Sequence, residues 1–467
     1  MIVVDRRQFI IMRDRYVRDD FLFCTLSCGL VLSYHKDLNI VEKNGNILLG
    51  YAFSADDEEV DLTYKPEEKM AFWAGRWILI TPDALYLDAC GHMGIFYAYH
   101  KGEVVLSSSL HLISTIVGTN WVANHVLKRG ESIFDFYPIP YTPYDGVMSL
   151  LPSEYFSFDT MTVCKRNDFD FLRYMCIDEN ILMDQFINGF ANILNKINKE
   201  YQGNIWVPLT SGVDSRCVLA LTQYSHIDVN TYTIIRDDTP KWDINVPPKI
   251  SSRLSVHHQY LDNTTKRQTG KSVKINEHCG GLVSVGTERS QVLSESDIPN
   301  AENSIVLWGT TWELGTQYYW PHFQRQADSI KQSLLQINSG CSNVHEDSLS
   351  EWASIEEAQC IPGLDWKERL YWEQRQGAWL RYSYQVIDLL DSTRVSPINC
   401  QYLLELFLMM NYNPKYSEAE IQNRIIEKKI IGKTCPQIAN FRYGEPTGFV
   451  YRGIRKTKRI ISNMRKQ

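Results

Sequence analysis

The sequence lacks several features that would assign a protein to a class at once. None of the 11 cysteines forms a CxxC pair, which favours buried, reduced thiols over a paired-cysteine metal site. No uninterrupted apolar run is long enough to span a bilayer, and residues 5–20 are too charged for a signal peptide. The formal net charge of −7 argues against a dedicated nucleic-acid binder. We therefore expect a cytoplasmic protein that neither inserts into a membrane nor binds nucleic acid.

Residues 1–178 are rich in short β-prone runs. These runs of aromatic and β-branched residues alternate with turn signals such as Lys-Asn-Gly-Asn at 43–46, a pattern typical of consecutive hairpins. Such hairpins predict stacked antiparallel sheets. The predicted strands cover residues 21–32, 47–53, 72–81, 84–88, 96–99 and 104–108.

From residue 183 the pattern changes to strands that alternate with helices. An amphipathic helix carries Phe186, Phe190 and Ile193, and apolar runs predict strands at 205–209, 229–235, 257–261 and 304–309. This alternation predicts a parallel α/β sheet with ligands at the carboxyl ends of its strands. Helical patterns cover residues 243–254, 371–390 and 401–411. We therefore expect two domains, at 1–178 and 183–467.

The stretch from 205 to 221 has the clearest functional pattern. The apolar run 205–209 predicts a buried strand, residues 210–215 read Thr-Ser-Gly-Val-Asp-Ser, and a helical pattern follows. A strand, a loop of small residues and a helix N-terminus together form an anion site, because loop amides converge on negative charge. The alternative interpretation is that Asp214 and Ser215 only cap the helix.

The order of motifs resembles that of the asparagine synthetase-like proteins. Residues 74–80 and 87–97 resemble the family's GRF…D..G..PLYY hairpin, and residues 209–215 its pyrophosphate loop, usually written SGGxDS. Residues 307–313 resemble its SGxGADE motif, and residues 428–449 its C-terminal K.LLR…LP..I..R.K.GF ending. The resemblance implies a two-domain α+β and α/β fold. Stacked antiparallel sheets of the N-terminal-nucleophile hydrolase type would precede a parallel-sheet PP-loop domain, of the adenine nucleotide α-hydrolase type, with a helical C-terminal part.

The resemblance also predicts that the first domain is inactive as a glutaminase. The family's glutaminase uses an N-terminal cysteine, whose thiol attacks the amide and whose amine helps to activate it. The present sequence starts with Met1 and Ile2, and its first cysteine is Cys24. We therefore expect this domain to serve as a scaffold.

In the second domain, the resemblance implies that the loop holds the phosphates of ATP. Thr210 replaces a serine of the family pattern and keeps its hydroxyl, whereas Ser211 replaces a glycine. Asp214 and Glu313 are expected to bind Mg²⁺, a hard cation that prefers oxygen ligands. The residues expected to contact ATP are Thr210, Ser211, Gly212, Asp214, Ser215, Thr233 and Ile234.

A catalytic cation is harder to assign. The lysine that the family carries near its C-terminus falls on Gly444. Lys433 or Arg442 is therefore expected to supply the positive charge of that lysine. Glu313 is also expected to be catalytic.

The resulting hypothesis is an ATP-dependent ligase that adenylates a carboxylate and couples it to an amine without hydrolysing glutamine. The substrates would be small molecules, peptides or glycans. We expect the protein to be able to form a homodimer.

Two alternatives to the ligase hypothesis stay open. One is a non-catalytic pseudo-synthetase that binds a nucleotide or a partner protein, and the other is a PP-loop enzyme that modifies nucleobases.

Overall fold

The structure is a computed structural model that describes residues 5–120, 134, 136–237, 239–262, 264, 298–323, 327–337 and 343–444. Met1 and Ile2, on which the prediction of an inactive glutaminase depends, lie outside the described residues. So do residues 445–449 of the C-terminal motif.

The N-terminal part of the chain forms two six-stranded antiparallel sheets. The first has the strand order β10-β8-β9-β1-β3-β2 and the second the order β12-β11-β7-β6-β5-β4. The strands are β1 (Phe9–Met12), β2 (Phe21–Thr25), β3 (Val31–His35), β4 (Ile40–Lys43), β5 (Asn46–Ser54), β6 (Trp73–Ile80), β7 (Ala84–Leu87), β8 (Phe96–His100), β9 (Glu103–Ser107), β10 (Met148–Ser149), β11 (Glu154–Ser157) and β12 (Thr162–Lys165).

Side-chain alternation explains how these sheets stack. Phe9 and Ile11 of β1 pack in the same core as Ile78 and Ile80 of β6, on the second sheet. Ile10 lies in the larger core that also includes the helices, because successive side chains of a strand point to opposite faces. The stacked antiparallel sheets predicted from the sequence are therefore confirmed.

One predicted strand needs a correction. The run 21–32 is not a single strand but the hairpin of β2 and β3, since residues 26–30 form a turn. The Leu26 amide donates to the Leu30 carbonyl at 2.8 Å, and Gly29 has a φ of +84° that favours glycine. Apolar residues within the turn, Leu26 and Leu30, made the run look continuous.

The third sheet is parallel, with the strand order β15-β14-β13-β16-β17. Its strands are β13 (Ile205–Pro208), β14 (Asn230–Ile235), β15 (His257–Asp262), β16 (Ile305–Leu307) and β17 (Thr393–Val395). The chain runs outward from β13 through β14 to β15 and then returns to the other side of β13 for β16. The direction of winding thus reverses between β13 and β16, and such a switch point opens a crevice at the carboxyl ends of the strands.

Helices surround this sheet and form most of the C-terminal part. The α-helices are α1 (Leu110–Val117), α2 (Glu179–Tyr201), α3 (Asp214–Tyr224), α4 (Lys241–Asn245), α5 (Pro247–Arg253), α6 (Ile330–Ile337), α7 (Asn343–Ala358), α8 (Trp366–Leu370), α9 (Arg381–Ile387), α10 (Gln401–Asn411), α11 (Glu418–Gln422), α12 (Ile425–Thr434) and α13 (Pro436–Ala439). A π-helix spans Tyr371–Leu380, and short 3₁₀ turns occur at Pro66–Glu68, Met70–Phe72, Ala301–Asn303 and Trp320–His322.

Two predicted helices differ from those observed. The run 243–254 is divided into α4 and α5, because Pro247 and Pro248 lack the amide protons that a continuous helix requires. The run 371–390 begins as a π-helix and ends at Ile387. Among the described residues, no helix has both the length and the apolar character that a bilayer crossing requires.

Candidate functional site

The small-residue loop lies at the switch point of the parallel sheet. It connects β13 to α3, and hydrogen bonds to β14 fix its beginning. The Leu209 amide donates to the Tyr232 carbonyl at 2.8 Å, and the Thr233 hydroxyl donates to the Leu209 carbonyl at 2.7 Å. Thr233 therefore positions the loop through its side chain.

The donors of the loop already hold an oxyanion. Both the amide and the hydroxyl of Ser211 donate to Oδ1 of Asp243, at 2.9 and 2.5 Å. Within the loop, the Gly212 amide donates to Thr210 Oγ1 at 3.1 Å, and the Thr210 amide donates to Ser215 Oγ at 3.2 Å. A carboxylate thus occupies donors of the type that would receive a phosphate oxygen.

The serine that replaces a glycine of the family pattern fits the loop without strain. Neither Ser211 nor Gly212 is among the described residues with positive φ. The backbone here is accessible to any L-residue, so the substitution leaves the shape of the loop intact.

The segment after β16 approaches the same helix N-terminus. A Cβ atom on Gly309 would lie 2.9 Å from the Ser215 amide nitrogen and 3.0 Å from the carbonyl carbon of Asp214. Only glycine allows this approach, because both neighbours are backbone atoms that cannot move aside. Glu313 follows four residues later and lies close enough to Asp214 to add to the rise in the pKa of that carboxyl.

Asp214 contacts the guanidinium of Arg424, and Glu313 lies close enough to affect the pKa values of both groups. Arg424 Nη2 contacts Asp214 Oδ1 and donates to the Trp312 carbonyl at 2.9 Å, while its Nε contacts Glu427. Burial raises the pKa of Asp214; Arg424 opposes this rise, whereas Glu313 and Glu427 add to it. The carboxyl of Asp214 is therefore less acidic than that of an ordinary aspartate.

Glu313 has a second partner on the π-helix. The Tyr371 hydroxyl donates to Glu313 Oε2 at 2.6 Å. Burial raises the pKa of Tyr371 well above its usual value, and Glu313 adds to the rise, so Tyr371 stays protonated as a donor. The Gln376 amide in turn donates to the Tyr371 hydroxyl at 3.3 Å.

The carboxylates as arranged do not fit a magnesium ion. Asp214 contacts a guanidinium and Glu313 accepts from a phenol, so neither offers a free ligand pair on a shared open face. The described part of the chain contains no group of three or more histidine, cysteine or carboxylate side chains that could hold a metal. A metal ion at Asp214 would first require Arg424 to leave.

The remaining predicted residues occupy different places. The side chain of Ile234 packs beside Trp206 and Tyr232, on the face of the sheet opposite the larger core. Only the backbone of Ile234 is therefore left to contact the base of a nucleotide. Lys433 forms an exposed ion pair with Asp184 of α2, and the structure does not bring it to the loop.

Arg442, in contrast, lies next to the loop and has an exposed side chain. Its carbonyl accepts a hydrogen bond from Arg216 Nη2 at 2.8 Å. The same guanidinium donates to the carbonyls of Ser211 and Phe441, and the Gly444 amide donates to Ser211. Residues 441–444 are therefore attached directly to the loop.

The sequence did not predict five residues of this site: Asp243, Arg216, Tyr371, Arg424 and Glu427. Arg216 is completely buried in the first turn of α3. A charged residue among the apolar residues Cys217, Val218 and Leu219 was the one available signal.

Comparisons with known proteins do not assign a family. No protein-family model matches the chain, and no curated protein matches it. Among solved structures, an NMN synthetase from Francisella tularensis aligns over 42% of this chain and 93% of its own, at 12% identity and a TM-score of 0.23. An NH3-dependent NAD synthetase from Campylobacter jejuni aligns over 42% and 92%, also at 12% identity and a TM-score of 0.23.

A glutamine-dependent NAD+ synthetase from Acinetobacter baumannii aligns over 48% of this chain and 40% of its own, at 10% identity and a TM-score of 0.22. Matches of this TM-score and identity establish neither a shared fold nor a shared activity. The resemblance to asparagine synthetases stays a prediction.

Proposed function

We propose that the chain is an ATP-dependent carbon–nitrogen ligase whose nucleotide phosphates bind the loop between β13 and α3. The observation that carries this proposal is the carboxylate of Asp243 on the amide and hydroxyl of Ser211. It shows donors arranged around an oxyanion at the switch point of a parallel sheet, where ligands of such sheets bind. Capping of α3 alone would not require these donors to converge.

The proposed reaction has two steps. A substrate carboxylate oxygen attacks the α-phosphorus of ATP, forming an acyl-adenylate and releasing pyrophosphate. An amine then attacks the acyl carbon, forming the amide and releasing AMP together with the amine proton. Loop donors stabilise the charge that develops on the leaving pyrophosphate, because fixed dipoles act strongly where water is excluded.

The proposed arrangement assigns this chemistry to residues 183–467. The N-terminal sheets, residues 1–178, would serve as a scaffold that covers one side of the site. Arg442 supports this arrangement as an exposed cation next to the loop. The substrates would be a carboxylate and an amine from a small molecule, a peptide or a glycan.

An ATP–pyrophosphate exchange assay with a panel of such carboxylates tests the proposal. We expect exchange with at least one of them, and a loss of about 100-fold in the Asp214→Ala variant, since this change removes the carboxylate that holds Arg424 beside the loop. The matched control is Lys199→Ala, which removes an exposed cation that pairs with Glu59 on the outer face of α2. Equal exchange in wild type and Asp214→Ala would contradict the proposed site.

The second candidate is a pseudo-synthetase that binds nucleotide without catalysis. The contact between Arg424 and Asp214, together with the ion pair that Lys433 forms with Asp184, favours it. Calorimetry separates the two functions. ATP binding without exchange for any carboxylate would support the pseudo-synthetase.

A further inference from the structure

One edge of the first antiparallel sheet has an unusual composition for an outer strand. Within the described residues, β2 is the last strand of its sheet and pairs with β3 alone. Its sequence, Phe-Leu-Phe-Cys-Thr at 21–25, contains no charged residue and no proline. Leu22 and Phe23 are nevertheless 52% and 47% exposed. β2 is therefore a neutral, apolar strand at an open edge.

The other three outer strands of the two antiparallel sheets carry features that oppose pairing with another chain. β4 ends in Glu42 and Lys43, and β12 ends in Lys165. β10 has only two residues, and Met148 within it also forms a bridge with Tyr141. Charged residues and short length are usual means by which an edge strand avoids association. Of these four edges, β2 is the one best suited to receive a further strand.

The hydrogen-bond pattern determines which backbone groups of β2 face outward. The Lys36 amide donates to the Asp20 carbonyl at 2.9 Å, and the Leu26 amide donates to the Leu30 carbonyl at 2.8 Å. Even-numbered residues of the strand therefore bond to β3, because hydrogen-bonded and non-hydrogen-bonded residues alternate along an antiparallel pair. The backbone groups that point to the open edge are those of residues 21, 23 and 25.

These outward groups match their own copies under a two-fold rotation. The Phe21 amide is already used, since it donates to the Arg18 carbonyl at 3.0 Å. The donors at the edge are therefore the amides of Phe23 and Thr25. With the axis at Phe23, each Phe23 amide meets the Phe23 carbonyl of the other copy, and each Thr25 amide meets its Phe21 carbonyl. A second copy of β2 thus satisfies both amides at this edge.

The side chains also suit pairing of the strand with itself. In this register Phe23 lies opposite Phe23, and Leu22 lies opposite Cys24 of the second copy. Apolar side chains directly opposite one another stabilise an antiparallel pair, whereas a charge at the axis would face its own like charge. The guanidinium carbon of Arg15 lies 3.8 Å from the centroid of the Phe23 ring, and the arginine is exposed, so water screens its charge.

We propose that the protein forms a two-fold symmetric homodimer in which β2 pairs antiparallel with β2 of a second copy, with Phe23 at the axis. The pairing joins two six-stranded sheets into one continuous sheet. A five-residue strand is about 17 Å long, and a contact of this length belongs to the interfaces below about 1,200 Å² that are typical of weak complexes. The dimer therefore depends on concentration. It involves no residue of the loop between β13 and α3, so it stands apart from the proposed function.

Analytical ultracentrifugation of the full chain tests the proposal. We expect wild type to change from monomer to dimer as its concentration rises. Phe23→Lys should associate at least about tenfold more weakly, because it places two lysines face to face at the axis. The matched control is Val41→Lys on β4, since Val41 is also 47% exposed on an outer strand, and it should associate as wild type does. Circular dichroism checks that both variants are folded.

Disulfide cross-linking tests the register. Leu22→Cys places a thiol opposite the native Cys24 of the second copy. The Cα atoms of such a non-hydrogen-bonded pair are about 4.5 Å apart, which a disulfide can span. Under mild oxidation we expect Leu22→Cys to give a covalent dimer that a reductant reverses. The same variant with Cys24→Ser, and Val41→Cys, should not give it.

Concentration-dependent dimerisation that Phe23→Lys weakens, together with the cross-link through Cys24, supports the proposal. A wild type that remains monomeric overturns it, including the case in which β2 pairs with a strand of a different protein. Equal association of Phe23→Lys and wild type overturns it as well, because the contact then lies elsewhere. If Phe23→Lys does not fold, the cross-link decides, and its absence in Leu22→Cys rejects this pairing.

Discussion

Two arginine–aspartate pairs in this molecule have the same chemistry in opposite settings. Arg76 of β6 contacts Asp388 through its two terminal nitrogens, Nη1 and Nη2. The two side chains are only 9% and 4% exposed. Gln8 donates to the same carboxylate at 2.7 Å. Arg424 and Asp214, in contrast, are 16% and 29% exposed.

The difference lies in how completely each carboxylate is satisfied. Asp388 has donors on both oxygens, and its pair joins the second antiparallel sheet to the segment after α9. Asp214 shares its arginine with Glu427, and Glu313 and Glu427 both add to the rise that burial causes in the pKa of Asp214. The first pair joins two layers of the fold through a carboxylate with donors on both oxygens, whereas the pair at Asp214 is more exposed and its arginine is shared.

The largest expected effect comes from breaking the satisfied pair. Arg76→Ala leaves Asp388 buried without its guanidinium, and such a loss costs about 3–5 kcal/mol of stability. Urea unfolding measures this cost. The matched control is Arg13→Ala, whose pair with Glu103 is exposed to solvent and should contribute far less to stability. Similar losses in the two variants would contradict the contrast drawn between buried and exposed pairs.

An intermediate effect is expected at Glu368, a carboxylate as buried as Asp388 that accepts backbone N–H groups. It accepts from the amides of Gly315 and Gln317, each at 2.9 Å, and burial raises its pKa to about 7. The folded state therefore favours the protonated acid. Its contribution to stability is complete below the usual pKa of a glutamate and is lost as the pH rises through about 7.

The measurement is the free energy of unfolding between pH 4.5 and pH 8 for wild type and Glu368→Gln. Wild type should lose on the order of 3 kcal/mol more than the variant over this range, because the pKa rises from 4.5 to about 7 on folding and one pKa unit corresponds to about 1.4 kcal/mol. Parallel pH profiles for the two proteins would show that Glu368 is charged in the fold.

The smallest effect is expected for Lys433, whose ion pair with Asp184 is open to solvent on both sides. The side chains are 41% and 56% exposed, so Lys433→Ala should change the free energy of unfolding by less than about 0.5 kcal/mol. Urea unfolding tests this. Loss of exchange in Lys433→Ala but not in Asp184→Ala would restore the prediction that Lys433 is catalytic.

The sequence predicts the architecture well where strands are apolar and bounded by clear turns. The four strands β13 to β16 have this character, and the loop after β13 is correctly placed between a strand and a helix. Several strands were not predicted. Among them, β1 follows a charged stretch, and β17 has only three residues with Arg394 at its centre. Strands this short are defined by their pairing partners rather than by their own composition.

The partners of the loop are less accessible to sequence reasoning than the loop itself. Asp243 lies 32 positions from Ser211, and Arg424 lies 210 positions from Asp214. Hydrophobic periodicity identifies which face of a helix is buried but not which charged residue crosses to another element. Motif resemblance directed attention to Lys433 and Gly444, and the cation that reaches Asp214 comes from the helix start between α11 and α12.

The attachment of residues 441–444 to the loop has a consequence for the order of folding. The guanidinium of Arg216 reaches the Phe441 carbonyl across 225 positions of sequence. The unit of β13 and α3 can form early from local contacts, but contacts at such separation form late because closing a long loop is entropically costly. During synthesis the loop between β13 and α3 would lack these contacts until residues 441–444 have emerged, so a product truncated before them would have a less constrained loop.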